Sequence, residues 1–168
     1  MLTREAQQDA KLSAGVRING ARIVENINLE NVKLICAIEI TGSRIEGAIT
    51  IRRSHTESVI LLDGSLMNGE VNAYGLRSGS DLSFADGATF KGIVNLGDAK
   101  IDGKVDISGS RFEGKLNAEA LRVGGTLDMS SNDKDKTGFK DGLIGGTFLL
   151  AESAPCTISA SRRLELYR

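Results

Sequence analysis

The side chains most able to do chemistry in this sequence are one histidine and a series of basic residues at near-constant intervals: Lys11, Lys33, His55, Arg77, Lys100 and Arg122. In a repeating chain a constant interval predicts a shared face, so these groups are expected to stack as one column. An aligned column of cations can hold a polyanion such as nucleic acid or an acidic glycan, because each neutralised charge releases condensed counterions. Neighbouring carboxylates can equally well neutralise it: Glu46, Glu57, Asp102 and Glu113 each lie two residues beyond a potential basic partner position.

Catalytic chemistry has little to work with. His55 is the sole histidine, so no His-based metal cluster can form, and the adjacent Ser54 points to the opposite side of an extended chain. Cys36 and Cys156 lie far apart and form no CxxC pair. Cys36 is read as a small buried hydrophobe, and Cys156 as reactive only if exposed beside Arg162 or Arg163. The stretches RVGG and DGLIGG lack the following Lys-Ser or helix start that a phosphate cradle needs. Carboxylates are plentiful, but the units that carry them are too short to wall the cleft that paired catalytic acids require. No enzyme activity, cofactor or metal is therefore expected.

Any function must then come from the scaffold. The chain has 168 residues, 20 glycines, one proline, no tryptophan and 4% aromatic residues, so one domain packed from small aliphatic side chains is expected. Its 21 basic and 22 acidic residues nearly cancel, and an electrostatic partner would have to be met by local segregation of charge. The opening MLTREAQQDAKLSAG has no apolar targeting core, and no run is long enough to span a bilayer. The expectation is a cytoplasmic location without a membrane span.

Written in elevens from Ala10, the chain falls into register: small, x, apolar, x, Gly or small, x, apolar, x, apolar, x, x. Units begin at Ala10, Ala21, Val32, Ser43, Ser54, Ser65, Leu76, Ala88, Ala99, Ser110 and Leu121, with one extra residue before Ala88. The third position is apolar except at Thr56 and Ser78, and the seventh, from Val16 to Leu127, is apolar throughout. This period of two predicts short strands with odd positions inward. Glycines at the fifth and eleventh positions predict corners, by positive φ or close backbone approach. The result is an all-β solenoid.

The eighth position sets the coil. Asn28, Thr50, Asn72, Asn95 and Asn117 alternate with an unrelated series, so two units make one coil of about 22 residues, with the Asn series stacked as an amide ladder. Five and a half coils would stand about 26 Å tall at the usual strand spacing. The predicted organisation is a single domain, 1–168. It comprises an N-terminal cap (1–9), regular repeats (10–129), a polar loop (130–141), a last repeat (142–152) with Ile144, Phe148 and Leu150 inward, and a C-terminal cap (153–168). Caps are expected because solenoid ends expose apolar edges.

Units such as GSRIEGAITI, GATFKGIVNL and GSRFEGKLNA resemble the GA-R-apolar-x-G-x-Leu-x-Leu repeats of bacterial pentapeptide-repeat-like proteins, over Ala10 to roughly Leu150. The resemblance implies a right-handed β-helix of quadrilateral cross-section, or a flattened one, since the period here is eleven and not five. Similar elevens occur in long bacterial proteins labelled membrane-associated oxidoreductases, but no GxGxxG between strand and helix is present to support that activity. The glycine-rich composition is similar to that of bactofilins, β-helical proteins that polymerise end to end. The expected function is a non-enzymatic structural or protein-interaction scaffold that forms a homo-oligomer, end to end or side by side, or binds a protein partner. The alternative is a binder of anionic polymer through the basic column.

Overall fold

The computed structural model describes residues 15–130 and 137–140, with the backbone alone at 143–144 and 149–150. All regular structure among these residues is β, and every strand pair is parallel. The chain winds through four walls per coil. The first wall stacks Val16–Asn19, Ile38–Thr41, Ile60–Leu61, Leu82–Ser83, Val105–Asp106 and Leu127–Asp128; the second stacks Arg22–Ile23, Arg44–Ile45, Leu66–Met67, Thr89–Phe90, Arg111–Phe112 and Gly138–Phe139. The third stacks Ile27–Asn28, Ile49–Thr50, Val71–Asn72, Val94–Asn95, Leu116–Asn117 and Leu143–Ile144, and the fourth Lys33–Leu34, His55–Thr56, Arg77–Ser78, Lys100–Ile101, Arg122–Val123 and Leu149–Leu150. Each wall pairs a residue with the one a coil earlier, as Ile38 with Ile60 and Asn95 with Asn117. Two eleven-residue units thus make one coil, and the result is a four-walled parallel β-solenoid.

Apart from the four-residue strands Val16–Asn19 and Ile38–Thr41, the strands are two residues long because each unit must turn twice. The two turns use different physics. At the eleventh position the chain is left-handed in every described unit, and it is held there by Asn31, Arg53, Asp86, Asp98 and Ala120 as well as by glycines such as Gly64 (φ 62°). At the fifth position φ is ordinary and space is the constraint. A Cβ on Gly69 would lie 2.6 Å from the Gly47 carbonyl carbon and 2.8 Å from the Ala48 nitrogen, inside van der Waals contact.

The interior is built from the first, third, seventh and ninth positions. Ile45, Met67, Phe90 and Phe112 are buried along the second wall, and Ile49, Val71, Val94 and Leu116 along the third. Phe90, Phe112 and Phe139 stack with ring centroids 5.0 and 5.3 Å apart and nearly parallel planes. The fifth position is not inward, contrary to the expectation from alternation, because the chain bends there. Cys36 is consequently half-buried at a corner and does not fill the core. Thr56 and Ser78, the polar residues at the third position, are buried yet satisfied. Each hydroxyl bonds the backbone two residues on, at Ser58 and Ser80, and so ties down the following corner.

Two irregularities are absorbed at corners. The extra residue, Gly87, follows Asp86 and both are left-handed, so the fourth wall still pairs Arg77 with Lys100. The insertion after Leu127–Asp128 is shorter than the predicted loop at 130–141. Gly138–Phe139 already pairs with Arg111–Phe112 in the second wall, and Leu143, not Ile144, aligns with the inward Leu116. The predicted last repeat is therefore out of register: the unit resumes at Thr137, where the core position falls on Phe139. The predicted caps at 1–9 and 153–168, and Cys156, lie outside the described residues.

Candidate basic face on the fourth wall

The fourth wall brings together most of the predicted column. Lys33 pairs with His55, His55 with Arg77, Arg77 with Lys100 and Lys100 with Arg122, all in register and all exposed. Lys11 lies outside the described residues. Parallel pairing forces these side chains onto one face at the strand spacing of about 4.8 Å, where the like charges of Arg77, Lys100 and Arg122 oppose one another directly.

Neutralisation along the column alternates by coil. The His55 ring Nε2 lies 2.7 Å from Glu57 Oε1, and the Lys100 ammonium lies 2.8 Å from Asp102 Oδ1. The position that supplies these carboxylates holds Ile35, Gly79 and Gly124 in the other three coils. Accordingly none of Lys33, Arg77 and Arg122 forms an ion pair among the described residues.

The other walls are treated differently. On the first wall Lys104 bridges Asp106 (2.7 Å) and Asp128 (3.1 Å), and Arg17 pairs with Glu39 at 3.1 Å. The Asp106 hydrogen bond leads the interactions that raise the Lys104 pKa above its ordinary value, so this cation stays charged. On the second wall Arg22 and Arg44 share Glu46, at 3.2 and 2.7 Å. The Asn68 amide and then Arg44 hold the Glu46 carboxyl below the usual carboxylate range. Leu66 and Thr89 then interrupt that basic series. The fourth wall alone carries a continuous basic column among the described residues.

Sequence reading missed Arg53. It occupies the left-handed eleventh position two residues before His55, is exposed, and forms no ion pair among the described residues. Its signal was the break in the Gly, Asn and Asp preference for that conformation. Tyr74, the aromatic nearest the column, donates its hydroxyl to Asp98, and its ring lies against the backbone of the next coil, where a Cβ on Gly97 would be 3.1 Å from Cδ2. The Asp98 hydrogen bond and charge raise the Tyr74 pKa.

The third-wall asparagines form an amide ladder at one step only among the described residues, Asn117 Nδ2 to Asn95 Oδ1 at 3.2 Å. Their main task is local. The side-chain oxygens of Asn28, Asn72, Asn95 and Asn117 accept from the backbone N–H two residues on, at 3.0 to 3.2 Å, and cap the turn that follows.

An interior cavity among Leu96, Val105, Leu116 and Leu127 has a volume of about 10 Å³ and is wholly apolar. Among the described residues no three His, Cys, Asp or Glu side chains gather as metal ligands would, and no helix is long and apolar enough to cross a membrane. Comparison of the chain with family models, curated proteins and solved structures returned no match. The likeness to pentapeptide-repeat-like proteins accordingly stands at the level of fold, in the parallel coils and four sheets.

Proposed function

We propose that the protein is a non-enzymatic structural or protein-interaction scaffold that self-associates through an end of its solenoid. The supporting observation is the contrast between successive coils. In the first described coil the inward Val16 is 47% exposed, and Ile18, Ile23, Ile27 and Leu29 are only partly buried, whereas one coil on Ile38 is 8% exposed and Ile40, Ile45 and Ile51 are buried. The same coil supplies the edge strand of all four sheets, so an apolar face and unpaired backbone groups coincide there among the described residues. A second copy can cover both by continuing the stack.

Sedimentation velocity over a wide concentration range tests this reading. Growth in size with concentration that is abolished by Val16→Asp and Ile27→Asp supports it. A strict monomer at high concentration overturns it.

A second reading is favoured by Lys33, Arg77 and Arg122, which have no ion pair among the described residues: binding of an anionic polymer along the fourth wall. Salt-sensitive retention on heparin supports it, and undiminished retention after charge reversal at those three positions sinks it.

A further inference from the structure

The alternation on the fourth wall also specifies a ligand class. We propose that this face is a linear track for an extended acidic polysaccharide lying along the solenoid axis, with one carboxylate on every second sugar. The inference rests on the polyanion reading above and narrows it.

Three features carry it. First, the cations with no ion pair among the described residues recur at every second coil, which places Lys33, Arg77 and Arg122 about 10 Å apart at twice the strand spacing. A polymer with a uronate on alternate sugars repeats its charge at roughly that distance. Nucleic acid carries its charges far more densely, about one per 3.4 Å along a duplex strand. Second, Gly79 and Gly124 stand two residues beyond Arg77 and Arg122, where the other coils carry Glu57 and Asp102. At Gly124 the nearest atoms are Asp102 backbone, so a polymer can approach the Arg122 guanidinium closely, whereas beside Arg77 the Glu57 carboxylate lies over Gly79. Third, the surface offers sugars more than it offers bases. Base recognition on single strands relies on open aromatic platforms, and the Tyr74 ring beside the column is already packed over Gly97 with its hydroxyl held by Asp98. Exposed Ile35 next to Lys33 gives an apolar patch against which a sugar face can rest.

Guanidinium and ammonium groups would bind the carboxylates by charge-assisted hydrogen bonds, and the paired His55 and Lys100 would lie between them opposite uncharged sugars. Four coils separate Lys33 from Arg122, a span of about 19 Å. Oligosaccharides should therefore gain affinity with length until they reach all three cations and then gain little.

The experiment is fluorescence anisotropy with end-labelled hyaluronan oligosaccharides of increasing length, alongside single-stranded DNA of matched charge, at several salt concentrations. The full chain should bind hyaluronan more tightly than the DNA, with a plateau in length. The combined Lys33→Gln, Arg77→Gln and Arg122→Gln variant should lose at least tenfold in affinity with an unchanged circular dichroism spectrum. Arg17→Gln, which removes a cation paired on the first wall, should change binding by less than twofold. Glu57→Gln with Asp102→Asn should strengthen binding several-fold by removing two carboxylates from the face and freeing Lys100. Equal or tighter binding of DNA overturns the glycan assignment and leaves the basic column standing. Binding of neither polymer, or full binding by the triple variant, overturns both.

Discussion

Two kinds of glycine corner should lose stability to very different extents on one added methyl group, and Gly69→Ala against Gly64→Ala is the direct comparison. At Gly69 the new Cβ would sit about 1 Å inside contact with the Gly47 carbonyl carbon, at 2.6 Å, and closer still to its oxygen. The coils can relieve this only by separating at that corner. Two ladder bonds flank it, Asn68 N to Ile45 O at 2.8 Å and Ile49 N to Glu70 O at 2.9 Å, and both would lengthen. Overpacking of about 1–3 kcal/mol and two weakened hydrogen bonds of about 1 kcal/mol each give a loss of roughly 4 kcal/mol. At Gly64 the nearest atom to a Cβ is Asp86 O at 3.4 Å, an ordinary contact, and the cost is conformational. A left-handed alanine costs about 1–2 kcal/mol, offset by the roughly 0.5–1 kcal/mol that glycine loses in chain entropy, leaving about 1 kcal/mol. Ala120 already holds the equivalent position at φ 54°. Urea unfolding followed by circular dichroism measures both variants. A Gly69→Ala loss no larger than that of Gly64→Ala would refute the close-approach account.

Three further outcomes follow from individual contacts. Phe112→Ala removes the middle ring of the Phe90–Phe112–Phe139 stack and should cost about 4 kcal/mol by urea midpoint, with Phe112→Leu retaining most of it. Arg53→Gly relieves a left-handed arginine and should stabilise the fold by about 0.5–1 kcal/mol in the same assay; no upward shift counts against strain at that corner. Glu46 has a folded pKa lowered by Asn68 and Arg44, so it takes up protons less readily folded than unfolded. Its contribution is present above the unfolded value and is lost as pH falls through the lowered one. Wild type should therefore exceed Glu46→Gln in stability at neutral pH and converge with it in acid, and a gap that persists through the acid range contradicts this sign.

The coil was legible in the sequence because its determinants are periodic. The seventh position is apolar in every unit, and the alternation at the eighth gave the two-unit coil that the pairing of Ile38 with Ile60 displays. The corners were only half legible. Glycine at the fifth and at the eleventh position looks the same in a sequence, yet one answers a steric demand from the preceding coil and the other a torsional demand of its own backbone. Cys36 was misplaced for the same reason, since strict alternation predicts inward where the chain in fact bends. The insertion was overestimated because Thr137 and Gly138 look polar and flexible, while their place is fixed by Phe139 joining the phenylalanine stack. At the basic column the residues could be listed from their spacing. Which of them keep a carboxylate and which stand beside a glycine was also readable, since each pair lies two residues apart in one unit; the exposure of Arg53 at the left-handed corner beside them was not.

The central claim is that neighbours on a wall are residues one coil, not one unit, apart. Nitroxide labels at cysteines replacing Arg77 and Lys100, with Cys36 and Cys156 changed to serine, test it most directly by electron paramagnetic resonance. The pairing of Arg77 with Lys100 predicts strong dipolar broadening for that pair, and little for labels at Arg77 and Thr89, which stand on different walls. Broadening for the Arg77 and Thr89 pair, and its absence for Arg77 and Lys100, would contradict the account.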